Sequence, residues 1–195
     1  MRNRVAQAFG AAFFATFALS QGAGAQVQDG PGPNLVIEVA GATEGRIVID
    51  LAEDLAPGHV ERIVSLAEQG AYDGVVFHRV IDGFMAQTGD VQFGRQGADL
   101  SRAGMGGSDL PDLSAEFTSA PFVRGTVGMA RSQSPNSANS QFFIMFAPAS
   151  HLDGQYTVVG QVIEGMEVVD SISRGRGPSG TVQDPDYMQS VSVER

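Results

Sequence analysis

From Asn34 to Glu194 the chain is dominated by short stretches in which apolar and polar residues alternate, and a helical period surfaces in only two places. Leu35, Ile37 and Val39 alternate with Val36, Glu38 and Ala40, the two-residue repeat of a strand. A turn at 41–45 leads into residues 46–51, where Ile47, Ile49 and Leu51 share one face, so the two segments read as a hairpin. Residues 75–81 and 85–88 read as strands around the Asp82-Gly83 turn, and 126–130, 141–146, 157–162 and 190–194 bring the set to about eight.

Pro57 sits at a first helical position, where its missing N–H costs nothing. Val60, Ile63, Val64 and Ala67 then form one apolar stripe that Gly70 closes. Met166, Val169 and Ile172 mark a second, shorter helix over 165–173. Strands and helices do not take turns along the chain. That argues against a parallel α/β sheet and predicts a mainly β fold, an eight-stranded closed antiparallel barrel capped by two α-helices. Residues 91–113 are rich in Gly, Asp and Ser and have no sustained period, which predicts a long functional loop.

The first 25 residues read as an address. Arg2 and Arg4 precede an apolar run from Val5 to Leu19, and Ala23-Gly24-Ala25 is a small-x-small site. This is the layout of a cleavable signal peptide over 1–25, and the run is shorter than the roughly twenty residues that span a bilayer. Residues 26–33 are rich in Gly and Pro and predict a flexible linker, with the folded domain over 34–195. The mature protein is therefore expected in the periplasm or the medium, free of the membrane once the signal is cut.

Composition closes off several chemistries. The 195 residues contain no cysteine, which excludes disulfides, thiolate metal sites and cysteine nucleophiles. There are 22 acids against 12 arginines and no lysine, for a formal charge of −10, so no basic surface is on hand for nucleic acid. His59 and His151 have no partner at metal-ligand spacing, and neither a metal nor a cofactor is expected. Gly175-Arg176-Gly177-Pro178-Ser179-Gly180 has the spacing of a dinucleotide loop, but it follows a helix and contains a proline, so it reads as a surface loop. His78 and Asp82 could join a serine in a hydrolytic triad on paper. No G-x-S-x-G elbow exists, and a mid-strand histidine beside Phe77 is more often a core residue than a general base.

Two segments carry more information. The first runs Phe77-His78-Arg79-Val80-Ile81-Asp82-Gly83-Phe84-Met85-Ala86-Gln87-Thr88-Gly89-Asp90. Strand alternation puts Phe77, Arg79 and Ile81 on one face, and Met85 with Gln87 on one face of the next strand. An arginine so placed is costly if it points inward unpaired. It either faces solvent from an outer wall or edges an apolar patch. The second is the polar loop Arg131-Ser132-Gln133-Ser134-Pro135-Asn136-Ser137-Ala138-Asn139-Ser140 leading into Gln141-Phe142-Phe143-Ile144, whose Ser and Asn content marks a turn.

Together these segments, F-H-R-x-I-x-G-F-M-x-Q-x-G-D and N-S-x-x-S-Q-F-F-I, resemble the cyclophilin-type peptidyl-prolyl cis-trans isomerases, and the long acidic loop and Arg131 loop look like the bacterial exported branch. The resemblance runs from about Leu35 to Val193. It implies a barrel of eight strands with two helices, in agreement with the strand count. It also implies that Arg79 is the catalytic arginine. Phe84, Met85, Phe143 and Leu152 would wall a proline pocket, Gln87 and Gln141 would orient substrate, and Ala130 and Arg131 would meet its backbone. His151 and Tyr156 border the site where many eukaryotic members have tryptophan and histidine, which implies weak cyclosporin binding. The Arg131 loop is one residue longer than the common eukaryotic form.

The expected function is thus isomerisation of X-Pro bonds in proline-containing peptides and unfolded exported proteins, by a monomer. The competing reading is a non-catalytic proline-peptide-binding chaperone module on the same barrel, with a secreted hydrolase a distant third. Arg79 favours the enzyme, because a binder does not require it.

Overall fold

The computed structural model describes residues 30–195. The expected signal peptide and residues 26–29 of the expected linker lie outside the described residues. Residues 30–33 are held against the first hairpin: Gly30 N–H donates to Asp50 Oδ2 at 2.9 Å and the Pro33 carbonyl accepts from Leu51 N–H at 3.0 Å.

The hairpin forms as the alternation requires. Strand β1 (Asn34–Ala40) pairs antiparallel with β2 (Gly45–Leu51), placing Leu35 opposite Ile49 and Ile37 opposite Ile47. All four side chains are buried in the main core. Helix α1 (Pro57–Glu68) starts at Pro57 and buries Val60, Ile63 and Ala67, with Leu66 beside them. The remaining strands are β3 (Val75–Val76), β4 (Arg79–Ile81), β5 (Met85–Thr88), β6 (Thr126–Met129), β7 (Phe142–Met145), β8 (Val158–Glu164) and β9 (Tyr187–Glu194), with a short α2 (Met166–Ser171) between the last two. The final strand starts three residues ahead of the expected Ser190, because Tyr187 and Met188 pair with both Ala40 and Val39 of β1 and Val76 and Val75 of β3.

One expectation is corrected. Among the described residues the fold is mainly antiparallel β with two α-helices, but its sheet has nine strands in the order β3-β9-β1-β2-β8-β6-β7-β5-β4, and the ladder is open rather than closed. The cause is a break in the segment expected as one strand over 75–81. Val75 and Val76 pair with β9, whereas Arg79 to Ile81 pair with β5. Between them Phe77 N–H donates to the Asp186 carbonyl, and the His78 carbonyl accepts from Val182 N–H. The two ends of the ladder are therefore joined through Phe77 and His78 and not by a further row of hydrogen bonds.

The break also corrects the expected facing. Phe77 and Val80 enter the main core, whereas Arg79 and Ile81 face the other way. Strand β7 is buried on both faces. Phe142 and Ile144 point into the main core, and Phe143 and Met145 join a second apolar cluster with Met85, Phe122, Leu152 and Val158. That second cluster is the floor of the site.

The long loop is ordered by two side chains. Asp90 is fully buried and accepts N–H bonds from Gln92, Phe93, Gly104 and Gly106. Asn139, from the polar loop, accepts from Ser108 N–H and donates to the Leu110 carbonyl. The Ser- and Asn-rich stretch thus does more than turn the chain.

Candidate active site

Register assembles the site. Arg79 lies opposite Gln87, Gln87 opposite Phe143, and Phe143 opposite Gly128, so one row across β4, β5, β7 and β6 carries a cation, an amide, an aromatic ring and a gap. The next row, Ile81, Met85 and Met145, extends the apolar surface. Above these rows is a hollow of about 170 Å³ lined by Arg79, Phe84, Met85, Gln87, Ala130, Arg131, Phe143, Leu152 and Tyr156.

Phe143 is held between two rings. Phe122 stacks on it with centroids 5.8 Å apart and planes at 20°, and Tyr156 meets it edge-on at 5.8 Å. This packing needs Gly128. A Cβ there would fall 2.6 Å from Phe122 Cε1 and 2.7 Å from Phe143 Cζ. Phe122 is in turn tied to the opposite wall: its N–H donates to Asp153 Oδ1 and its carbonyl accepts from Ala149 N–H, on either side of Leu152.

Arg79 is half-buried at the polar end of the hollow. Its Nη1 donates to Gln87 Oε1 at 3.1 Å and its Nε to the Ser179 carbonyl at 3.0 Å. Gln87 Nε2 donates to Gln141 Oε1 at 2.9 Å, and Gln141 Nε2 to the Gly106 carbonyl at 2.8 Å, so the amide chain is anchored in the long loop. Nη2 donates to no described residue, and no described ion pair includes Arg79. The guanidinium is oriented by neutral acceptors and keeps an unneutralised charge with free N–H groups.

Two expected residues sit off the hollow. Gln141 lines a larger neighbouring hollow of about 560 Å³ beyond Ala130 and Arg131, and reaches Arg79 through Gln87. His151 is exposed and stacks on Phe84 at 6.0 Å, at the rim. Arg131 lines both hollows, but its guanidinium is occupied: it donates to the carbonyls of Ser132 and Gln155 and lies 4.4 Å over the Tyr156 ring. It braces one wall.

Sequence reasoning missed Phe122 and Ser179. The only hint of the former is an isolated apolar run, Ala120 to Val123, in a region without a period. The latter acts through its backbone, which leaves no side-chain pattern. The triad imagined from His78 and Asp82 is not assembled. His78 is buried behind Arg79, and burial holds its imidazole below the usual range despite the opposing charge of Asp90. Asp82 is exposed and pairs with Arg174.

Known proteins match this architecture. A family described as cyclophilin type peptidyl-prolyl cis-trans isomerase/CLD matches residues 35–193. A probable peptidyl-prolyl cis-trans isomerase of Brucella suis is 58% identical over 154 residues, covering 77% of this chain and 79% of the relative. A peptidyl-prolyl cis-trans isomerase-like 3 protein of Gallus gallus is 39% identical over 131 residues, 67% of this chain and 77% of the relative. Among solved structures, the cyclophilin AquaCyp293 of Hirschia baltica superposes with a TM-score of 0.69 at 27% identity, covering 84% of this chain and 74% of that one. A cyclophilin type isomerase of Cryptosporidium parvum, determined in the presence of the dipeptide Ala-Pro, gives 0.70 at 24% identity, covering 83% and 99%.

Proposed function

Given that the chain belongs to the cyclophilin-type peptidyl-prolyl cis-trans isomerases, we propose that Arg79 is the catalytic cation and that the hollow beside it receives the proline ring. The amide bond before proline has partial double-bond character and a rotational barrier of about 18–20 kcal/mol. Its two isomers differ by only about 0.5–1 kcal/mol, so the enzyme's task is kinetic. It must bind the twisted bond better than either planar form.

At the twist, conjugation is lost and the proline nitrogen recovers a lone pair. A guanidinium cannot act as a base, but its N–H groups can donate to that lone pair. Ser179 and Gln87 each take one N–H, and Arg79 Nη2 is the nitrogen that donates to no described residue. Phe84, Met85, Phe143 and Leu152 grip the ring, and Gln87 holds the preceding carbonyl. An acceleration of about 10⁵-fold asks for roughly 7 kcal/mol of selective stabilisation. A charge-assisted bond in a partly desolvated hollow, with substrate orientation, is of that order.

The single observation that carries this reading is the fixed, unneutralised guanidinium sharing one hollow with the apolar walls. Exchange NMR on an X-Pro peptide tests it without a coupled protease. Arg79→Ala should slow isomerisation by about 10²–10³-fold while peptide affinity changes by less than about fivefold. Turnover at the wild-type rate in that variant would remove Arg79 from the mechanism. We further propose that the clients are exported proteins and that the enzyme works as a monomer in the periplasm or the medium; the signal-like residues 1–25 support the exported setting.

A further inference from the structure

We infer that the loop Gly175-Arg176-Gly177-Pro178-Ser179-Gly180 is a positioning element for Arg79. The inference rests on the reading of Arg79 as the catalytic cation. Strand β4 is the last in the ladder, and this loop covers its open edge. Val80 N–H donates to the Gly180 carbonyl at 2.7 Å, and the Val80 carbonyl accepts from Gly175 N–H at 2.9 Å. The loop closes on itself through Arg176 N–H to the Thr181 carbonyl. From that clamp the Ser179 carbonyl accepts the hydrogen bond that Arg79 Nε–H donates.

Nε and Nη1 are two points on a rigid plane. Gln87 alone would leave the guanidinium free to pivot about one bond, whereas Gln87 and Ser179 together fix the plane and aim Nη2. Both anchors are neutral, so the charge stays available for the twisted bond. A long arginine otherwise loses its rotamer freedom at the moment of reaction, and a donor set in advance avoids that cost.

The loop must sit this close. Gly180 has φ +70°, and a Cβ there would lie 2.4 Å from Ile81 Cγ1 and 3.1 Å from the Val80 carbonyl oxygen. Gly180→Ala therefore lifts the loop from β4 by pressing on Ile81, at the edge of the apolar surface, rather than on Phe84, Met85, Phe143 or Leu152. Ser179→Gly removes the hydroxyl contact with Thr181 and loosens the loop without adding an atom.

The experiment measures isomerisation rate and peptide affinity separately by exchange NMR, and follows the Arg79 Nε–H resonance. Gly180→Ala should lower the rate by about tenfold, leave affinity within about twofold, and shift the Nε–H signal with faster proton exchange. Ser179→Gly should do the same to a smaller extent, and it serves if the alanine variant does not fold. In an Arg79→Lys background, which has no Nε–H, either loop change should cost less than about twofold. An equal fractional loss in that background, or a wild-type rate despite a displaced Nε–H signal, overturns the inference. Full turnover in Arg79→Ala would instead overturn the reading of Arg79.

Discussion

At the scale of the residue, the site depends on an atom that is missing. Gly128 leaves the space in which Phe122 and Phe143 stack, and Phe143 is the floor on which a proline ring would rest. Gly128→Ala forces those rings apart in a packed cluster, where added volume costs about 1–3 kcal/mol. We expect that loss in a urea titration together with at least a fivefold weaker hold on an X-Pro peptide, since the floor and the wall move together. Unchanged affinity in the alanine variant would show that Phe143 does not seat the ring. The residues of the two sequence segments, Arg79, Phe84, Met85, Gln87 and Phe143, were legible because they fall in a motif. Phe122 was not, because its role comes from what stands opposite it in space.

At the scale of the element, helix α1 illustrates how an end can be finished from far away. Ala56 precedes it and supplies no side-chain cap. Glu116, from the loop before β6, accepts the N–H groups of Gly58 and His59 at 3.1 Å and pairs with the His59 ring. A carboxylate there also meets the positive end of the helix dipole. Burial pushes the Glu116 carboxyl up, but the bonds from the His59 ring and the two N–H groups outweigh it and hold it below its usual range. A carboxyl so depressed stabilises the fold above its unfolded pKa of about 4.3, and the contribution is lost as pH falls through the folded value. Glu116→Ala should therefore cost about 1–2 kcal/mol near pH 7, and its urea midpoint should move toward the wild-type one as pH falls below about 4.3 and meet it only below the depressed folded value. A constant gap across that range would mean that the charge is not what caps the helix. The break at Phe77 and His78 is the other event of this scale. Residues 75–81 read as one run of strand-forming residues interrupted only by His78 and Arg79, with no Gly, Pro or turn signal to mark a change of partners.

At the scale of the whole molecule, the charge bears on the proposed export. The formal charge is −10, and loss of Arg2 and Arg4, the only charges in residues 1–25, moves it to −12. Protein recovered from outside the cytosol should begin at Gln26, as read by N-terminal sequencing or intact mass; a product that stays cytosolic with Met1 in place would rule out the exported setting. The sequence by itself determined which residues alternate into strands and which segment forms α1, because these depend on spacing along a few neighbouring residues; the side chains that line the hollow beside Arg79 were named through the family resemblance. Only the tertiary structure decided the row from Arg79 through Gln87 and Phe143 to Gly128, the open order of nine strands, the Glu116 cap and the Ser179 carbonyl on Arg79. Apart from Arg79 and Gln87, those partners lie well apart along the chain, and they meet through strand pairing or through a bond to a backbone N–H or carbonyl. A backbone N–H or carbonyl is the same in every residue that carries it, so the pairing leaves no mark on the identity of either one.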